Sequence, residues 1–152
     1  MFKLKKMITP IALALFLLTL CACGNAGIPG EVKEHEVGTG DTLSAICPKD
    51  WNEFEYGERS LFFTQADELG DYIKPYFMIQ YNDTVIEAGG IGDDVSFEID
   101  GKTWTGVYDS RYELYNIVTT TEKGSVYVAS SGIKREEKLF EGVLSSIKVT
   151  HE

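Results

Sequence analysis

Between Val95 and Thr105 apolar and polar positions largely alternate on either side of a turn. Val95, Phe97 and Ile99 are interleaved with Ser96 and Glu98, then Asp100-Gly101 intervenes, and Trp104 stands between Thr103 and Thr105. Alternation with period two, broken by Asp-Gly, predicts two antiparallel strands joined by a type I′ turn, because both turn residues tolerate positive φ. A two-residue turn fixes the register: Ile99 faces Lys102, Phe97 faces Trp104 and Val95 faces Gly106. Phe97 and Trp104 then pair across the strands on a buried face, with Glu98, Thr103, Ser96 and Thr105 on a wet one.

The same reading predicts further strands at 42–47, closed by Pro48, at 51–56, and at 59–65 after a Gly57-Glu58 hairpin loop. Three more are expected at 75–82, 112–120 and 125–130, the last two joined around Glu122-Lys123-Gly124. Residues 31–40 read as a polar, frayed lead-in and 66–74 as an acidic, mobile connection. Residues 83–94 read as a glycine-rich loop with one helical turn at 84–88. Past Gly132 the period changes. Leu139, Val143 and Ile147 recur every four residues beside Phe140 and Leu144, which makes an apolar helical stripe. Lys134 to Lys138 fill its outer face, Ser131 is a candidate N-cap, and Ile147 to Thr150 continue as a short strand. Strands followed by a long C-terminal helix predict an α+β fold, an antiparallel β-sheet packed with helices.

The first residues follow another logic. Lys3, Lys5 and Lys6 precede an apolar stretch from Ile8 to Ala22, interrupted by Thr9, Pro10 and Thr19. A basic segment and a short apolar one make a secretory signal, and the stretch is shorter than the roughly 20 apolar residues of a membrane-spanning helix. Leu20-Cys21-Ala22-Cys23 resembles the bacterial lipobox: an aliphatic residue, a small residue at the cut, then the modified cysteine. Cleavage falls after Ala22, because a cut before Cys21 would put the bulky Leu20 at that position. The Cys23 thiolate is the nucleophile that takes the lipid, and the resemblance implies two or three acyl chains, such as palmitate, on Cys23. At about 0.8 kcal/mol per buried methylene, two chains anchor stably where one does not. The expected organisation is a signal peptide at 1–22, a lipidated N-terminus and tether at 23–30, and a single globular domain at 31–152. The expected location is extracytoplasmic, anchored to the cell membrane.

Composition narrows the chemistry. Removing 22 of 152 residues leaves 130, enough for one domain with its own core. The signal takes three lysines and no acid, so the formal net charge moves from −10 to −13. That charge repels nucleic acid and anionic lipid, which leaves no nucleic-acid partner to expect. With Cys21 removed and Cys23 lipidated, Cys47 has no disulfide partner, and its neighbours Ile46 and Pro48 predict a buried structural thiol.

No catalytic set stands out. His35 and His151 lie at the ends of the domain, so no histidine is expected inside the fold to act as a base. Ser130-Ser131-Gly132 lacks the Gly-x-Ser-x-Gly elbow, and Gly89-Gly90-Ile91-Gly92 lacks the Lys-Ser/Thr of a phosphate loop. The acids Asp67, Glu68 and Asp71, and Asp83, Glu87, Asp93 and Asp94, do not follow calcium-loop spacing, so no metal and no cofactor is expected. Tyrosine is favoured at interfaces; Tyr72, Tyr76, Tyr108 and Tyr112 flank loops and are the candidate interaction surface.

Three segments carry a family resemblance. Pro48-Lys49-Asp50-Trp51 closes an early strand and is similar to the Pro-Lys-Gly-Trp turn of the PsbP-like family of small lipoproteins and extrinsic proteins. The meander Ile99-Asp100-Gly101-Lys102-Thr103-Trp104 and the ending Leu144-Ser145-Ser146-Ile147-Lys148-Val149 resemble the same family, in the same order, over 42–150. The resemblance implies a PsbP-like α/β/α sandwich and a binding or assembly role rather than catalysis. The chain departs at Asp50, where the family often has Gly, and at 89–92, where a glycine-rich loop replaces a middle helix. The expected function is a membrane-anchored, non-enzymatic binding or assembly module with an envelope protein partner. The alternatives are a carboxylate-dependent hydrolase acting on envelope material and a small-ligand or divalent-ion sensor.

Overall fold

A computed structural model describes residues 27–38, 40–70 and 73–152. The expected signal peptide with Ala22, the expected lipidation site Cys23 and the first part of the expected tether lie outside them, as does Tyr72. Among the described residues, ten strands and one helix follow in chain order. The strands are β1 (Gly30–Glu36), β2 (Asp41–Pro48), β3 (Asn52–Phe54), β4 (Ser60–Thr64), β5 (Tyr76–Asn82), β6 (Asp93–Ile99), β7 (Lys102–Asp109), β8 (Leu114–Thr120) and β9 (Ser125–Ser131). The helix α1 (Lys138–Ser146) and strand β10 (Lys148–His151) complete the chain. All pairing is antiparallel: a seven-stranded sheet in the order β3-β4-β5-β9-β8-β7-β6 and a three-stranded sheet in the order β1-β2-β10.

The Asp-Gly hairpin forms in the register its spacing predicts. Phe97 stands opposite Trp104 and Val95 opposite Gly106, and Asp100 and Gly101 take φ of 50° and 73°. Trp104 is fully buried. The inner face of the large sheet carries Leu61, Phe63, Phe77, Ile79, Tyr81, Ile117 and Val128, which are successive alternate positions of β4, β5, β8 and β9. Onto it pack Leu43, Ala45 and Cys47 from β2, and Phe140, Val143, Leu144 and Ile147 from the helical stripe. Phe140 lies among rings, 5.0 Å from Tyr115, 6.0 Å from Phe97 and 6.2 Å from Phe77 between centroids. The fold is thus α+β, with two antiparallel sheets and one C-terminal helix among the described residues.

Several expectations are corrected. Residues 31–36 are not frayed: they pair along the whole of β2, from Glu31 opposite Cys47 to Glu36 opposite Thr42. Ile28 packs on the core and the Lys49 N–H donates to the Pro29 carbonyl at 3.0 Å, so the packed domain begins within the expected tether. The helix is nine residues rather than long. Gly132, at φ 75°, turns the chain out of β9, and Lys134 to Glu137 form a turn closed by the Lys134 N–H donating to the Glu137 side chain at 2.9 Å. Glu137 therefore stands at the N-cap, while the Ser131 hydroxyl donates to the Tyr112 carbonyl at 2.9 Å. Gly57-Glu58 lies in a wider loop, because the last pair below it is Phe54 with Phe62. No helical turn forms at 84–88. That segment is held to the outer face by Ser125, whose hydroxyl accepts from the Ile86 N–H at 3.3 Å and donates to the Thr84 carbonyl at 2.7 Å. Among the described residues the outer face therefore carries a loop strap rather than a helical layer.

Candidate functional site

Strand parity decides what the outer face presents. Phe62 on β4, Tyr76 and Met78 on β5, and Leu114 on β8 point away from the core. Beyond the strap they line an open groove of about 470 Å³, together with Tyr56 and Tyr112. Phe62 and Tyr76 stack at 5.4 Å and 18°, and Tyr56 leans on Phe62 at 5.2 Å. Tyr56 and Tyr112 are 54% and 59% exposed, so their rings are available to a partner. Among the described lining residues Lys74 is the one charged side chain. Burial pushes the Tyr76 phenol above its ordinary pKa, with smaller contributions from Tyr127 and Tyr56, so it stays a neutral donor at physiological pH.

The groove unites two of the four tyrosines singled out from the sequence. Tyr76 and Tyr112 both line it. Tyr108 does not: it lies on the inner face, paired with Tyr115 at a ring distance of 4.4 Å, because it shares the parity of Trp104. Tyr72 lies outside the described residues. The sequence reading missed Tyr56, Phe62, Met78 and Leu114, although the 180° parity of β4 and β5 already set Phe62 and Met78 apart from Phe63 and Phe77.

Tyr112 is itself positioned by charge. Asp109, buried at the end of β7, accepts from the Arg111 backbone N–H at 3.0 Å, from its Nε at 3.0 Å and from its Nη2 at 2.7 Å. The guanidinium so fixed lies 5.5 Å from the centre of the Tyr112 ring. Arg111 holds the Asp109 carboxyl below its usual pKa.

His151 is also a correction. It is terminal in sequence but interior in space: β10 pairs with β2, and the His151 Nδ1 meets the Asp41 carboxylate at 2.5 Å. Cys47 is buried, as its neighbours predict; loss of solvent pushes its thiol up to about 11, and its Sγ donates to the Trp51 carbonyl at 3.7 Å. Among the described residues no three of His, Cys, Asp and Glu gather as a metal site would require, and no helix is long and apolar enough to cross a membrane.

These features define a small α+β protein of two antiparallel sheets with an open aromatic groove. No family model matches the chain, and no curated protein matches it. Among solved structures it is similar to a protein of Bacteroides thetaiotaomicron VPI-5482, with a TM-score of 0.48 and 20% identity over 81% of this chain and 49% of that one. The chain spans about half the length of that protein.

Proposed function

We propose that this chain is a lipid-anchored, extracytoplasmic, non-enzymatic binding module that docks an envelope protein partner in the aromatic groove. The observation that carries this reading is the groove itself, where half-exposed Tyr56 and Tyr112 flank a stacked pair of rings on a sheet face without a helical cover among the described residues. Exposed aromatics around a concave apolar floor are the usual anchors of a protein interface. The lipobox at Leu20 to Cys23 supports the membrane address, with Cys23 as the lipidated residue and lipid as the second partner.

Kinship with the PsbP-like lipoproteins is part of the proposal. It is supported by the turn at Pro48 to Trp51, where Asp50 takes φ 66° at the position the family often fills with Gly. On this reading the fold varies the family's α/β/α sandwich, with the loop between β5 and β6 standing where the family has its middle helix.

The test is crosslinking in intact cells, followed by purification of the anchored protein. One partner recovered in near-equal amount, and lost in both Cys23→Ala and the Tyr56→Ser/Tyr112→Ser double variant, is the expected result. A partner retained by the double variant would overturn the groove as its site. No enriched partner with the unmodified chain would overturn the assembly role.

A further inference from the structure

A second cleft, of about 350 Å³, opens on the inner side of the large sheet where β10 passes the end of β8. It is separate from the aromatic groove and shares no residue with it. Its wall combines Lys102, Thr121, Glu122, Val126, Lys148 and His151.

The polar groups in this wall are left incomplete. The Lys102 ammonium donates to the Ile147 carbonyl at 2.7 Å, which uses one of its three protons and fixes it at the rim. Burial lowers the Lys102 pKa; Asp100 of the hairpin turn opposes this, and Lys148 adds a smaller lowering. Among the described residues neither lysine has a carboxylate within ion-pair distance. The Asp41 carboxylate is engaged by His151, so Glu122 is the remaining acid in the wall. The chain as a whole is strongly acidic, at −10, yet this wall gathers two lysines, Lys102 and Lys148, beside one glutamate and the Asp41-paired His151.

Two further atoms lack partners. His151 Nε2 and Thr121 Oγ1, on two residues that line the cleft, are withdrawn from solvent and without a hydrogen bond. Buried polar atoms are paired in the great majority of native structures, so two on residues of one wall are groups that a partner from outside the chain would satisfy. With Nδ1 held by Asp41, His151 has Nε2 as its free ring position, and in the doubly protonated ring that position is a donor. Thr121 stands in the turn between β8 and β9, next to exposed Glu122, and lines the cleft.

We propose that this cleft binds the oxyanion group, a carboxylate or a phosphate, of a small molecule, received by Lys102, Thr121 and His151. The anion supplies acceptors to three donor groups and relieves the repulsion between Lys102 and Lys148. Val126 and Ile147 supply an apolar wall for the remainder of the molecule. The groove on the opposite face takes no part.

The test is nuclear magnetic resonance titration of the full chain in detergent with inorganic phosphate and, separately, with acetate, at an ionic strength held constant with chloride. Saturable amide shifts at Lys102, Thr121 and His151 are expected with at least one of the two. Phosphate alone, or acetate alone, then identifies the group. Lys102→Met retains the methylenes and loses the charge; it weakens binding about tenfold or more, as expected for a lost charged hydrogen bond. Thr121→Val weakens it by roughly threefold to tenfold and keeps the proposal testable should Lys102→Met fail to fold. Shifts that do not saturate with either anion, or saturating shifts unchanged in both variants, overturn the proposal.

Discussion

Single residues in this protein are tuned by what burial and backbone leave them. Asp50 sits at φ 66°, a region that β-branched residues enter at a cost of about 1–2 kcal/mol and that Asp and Gly tolerate. Chemical denaturation should therefore find Asp50→Gly within about 0.5 kcal/mol of the parent, and Asp50→Val less stable by about 1–2 kcal/mol. Asp109 gives a pH-dependent prediction. Its carboxyl titrates below the unfolded value of about 3.9, so its contribution is full above that pH and is lost as pH falls through the lower folded value. The gap in denaturation midpoint between parent and Asp109→Asn should be open at pH 7 and close as the pH is lowered past the folded value. A gap independent of pH would remove Arg111 as the cause. Cys47, pushed up to about 11 by burial, should react with a thiol reagent at pH 8 far more slowly than a free thiol, and at the ordinary rate once urea unfolds the chain.

At the scale of elements, α1 acts as a plug rather than as a layer. Nine residues are too few for a helix to be stable alone in water, so its packing must sustain it. Phe140 is its anchor, fully buried among Phe77, Phe97 and Tyr115. Phe140→Ala should cost about 3–5 kcal/mol in urea denaturation. The β7-β8 pair depends on a different device. A Cβ at Gly106 would collide with the Asn116 carbonyl oxygen, so backbone rather than side chain closes that contact. Gly106→Ala should destabilise by about 1–3 kcal/mol through displaced strands, whereas Gly101→Ala meets open space and strains only the turn.

For the whole molecule, the organising fact is that the two faces of the seven-stranded sheet have different duties. The inner face is filled by the small sheet and α1, and the outer face is crossed by the 83–92 strap and left open beside it. The binding proposed for the groove and the folding of the core are therefore separable. The Tyr56→Ser/Tyr112→Ser variant, which alters exposed rings, should keep its melting temperature within a few degrees while losing its partner.

Local periodicity was enough to define most strands, the Asp-Gly register and the buried stripe of α1, because each depends on neighbours two to four residues away. The same parity already held Phe62 and Met78 on one face, although nothing local says which face is covered. What lies on top of a sheet depends on segments far off in sequence. β1 reads as a polar lead-in, GEVKEHE, until β2 supplies its hydrogen bonds. His151 reads as a tail until β10 closes on β2 and brings it to Asp41, 110 residues earlier. Tyr108 and Tyr112 look equivalent beside one loop, but the pleat turns Tyr108 into the core while Tyr112 stays outside on its arginine. Sequence alone thus determined most of the elements and their apolar faces, through steric and hydrophobic rules of short range. Tertiary structure alone decided which polar groups meet and which aromatic rings remain exposed, because both follow from the pairing of distant strands.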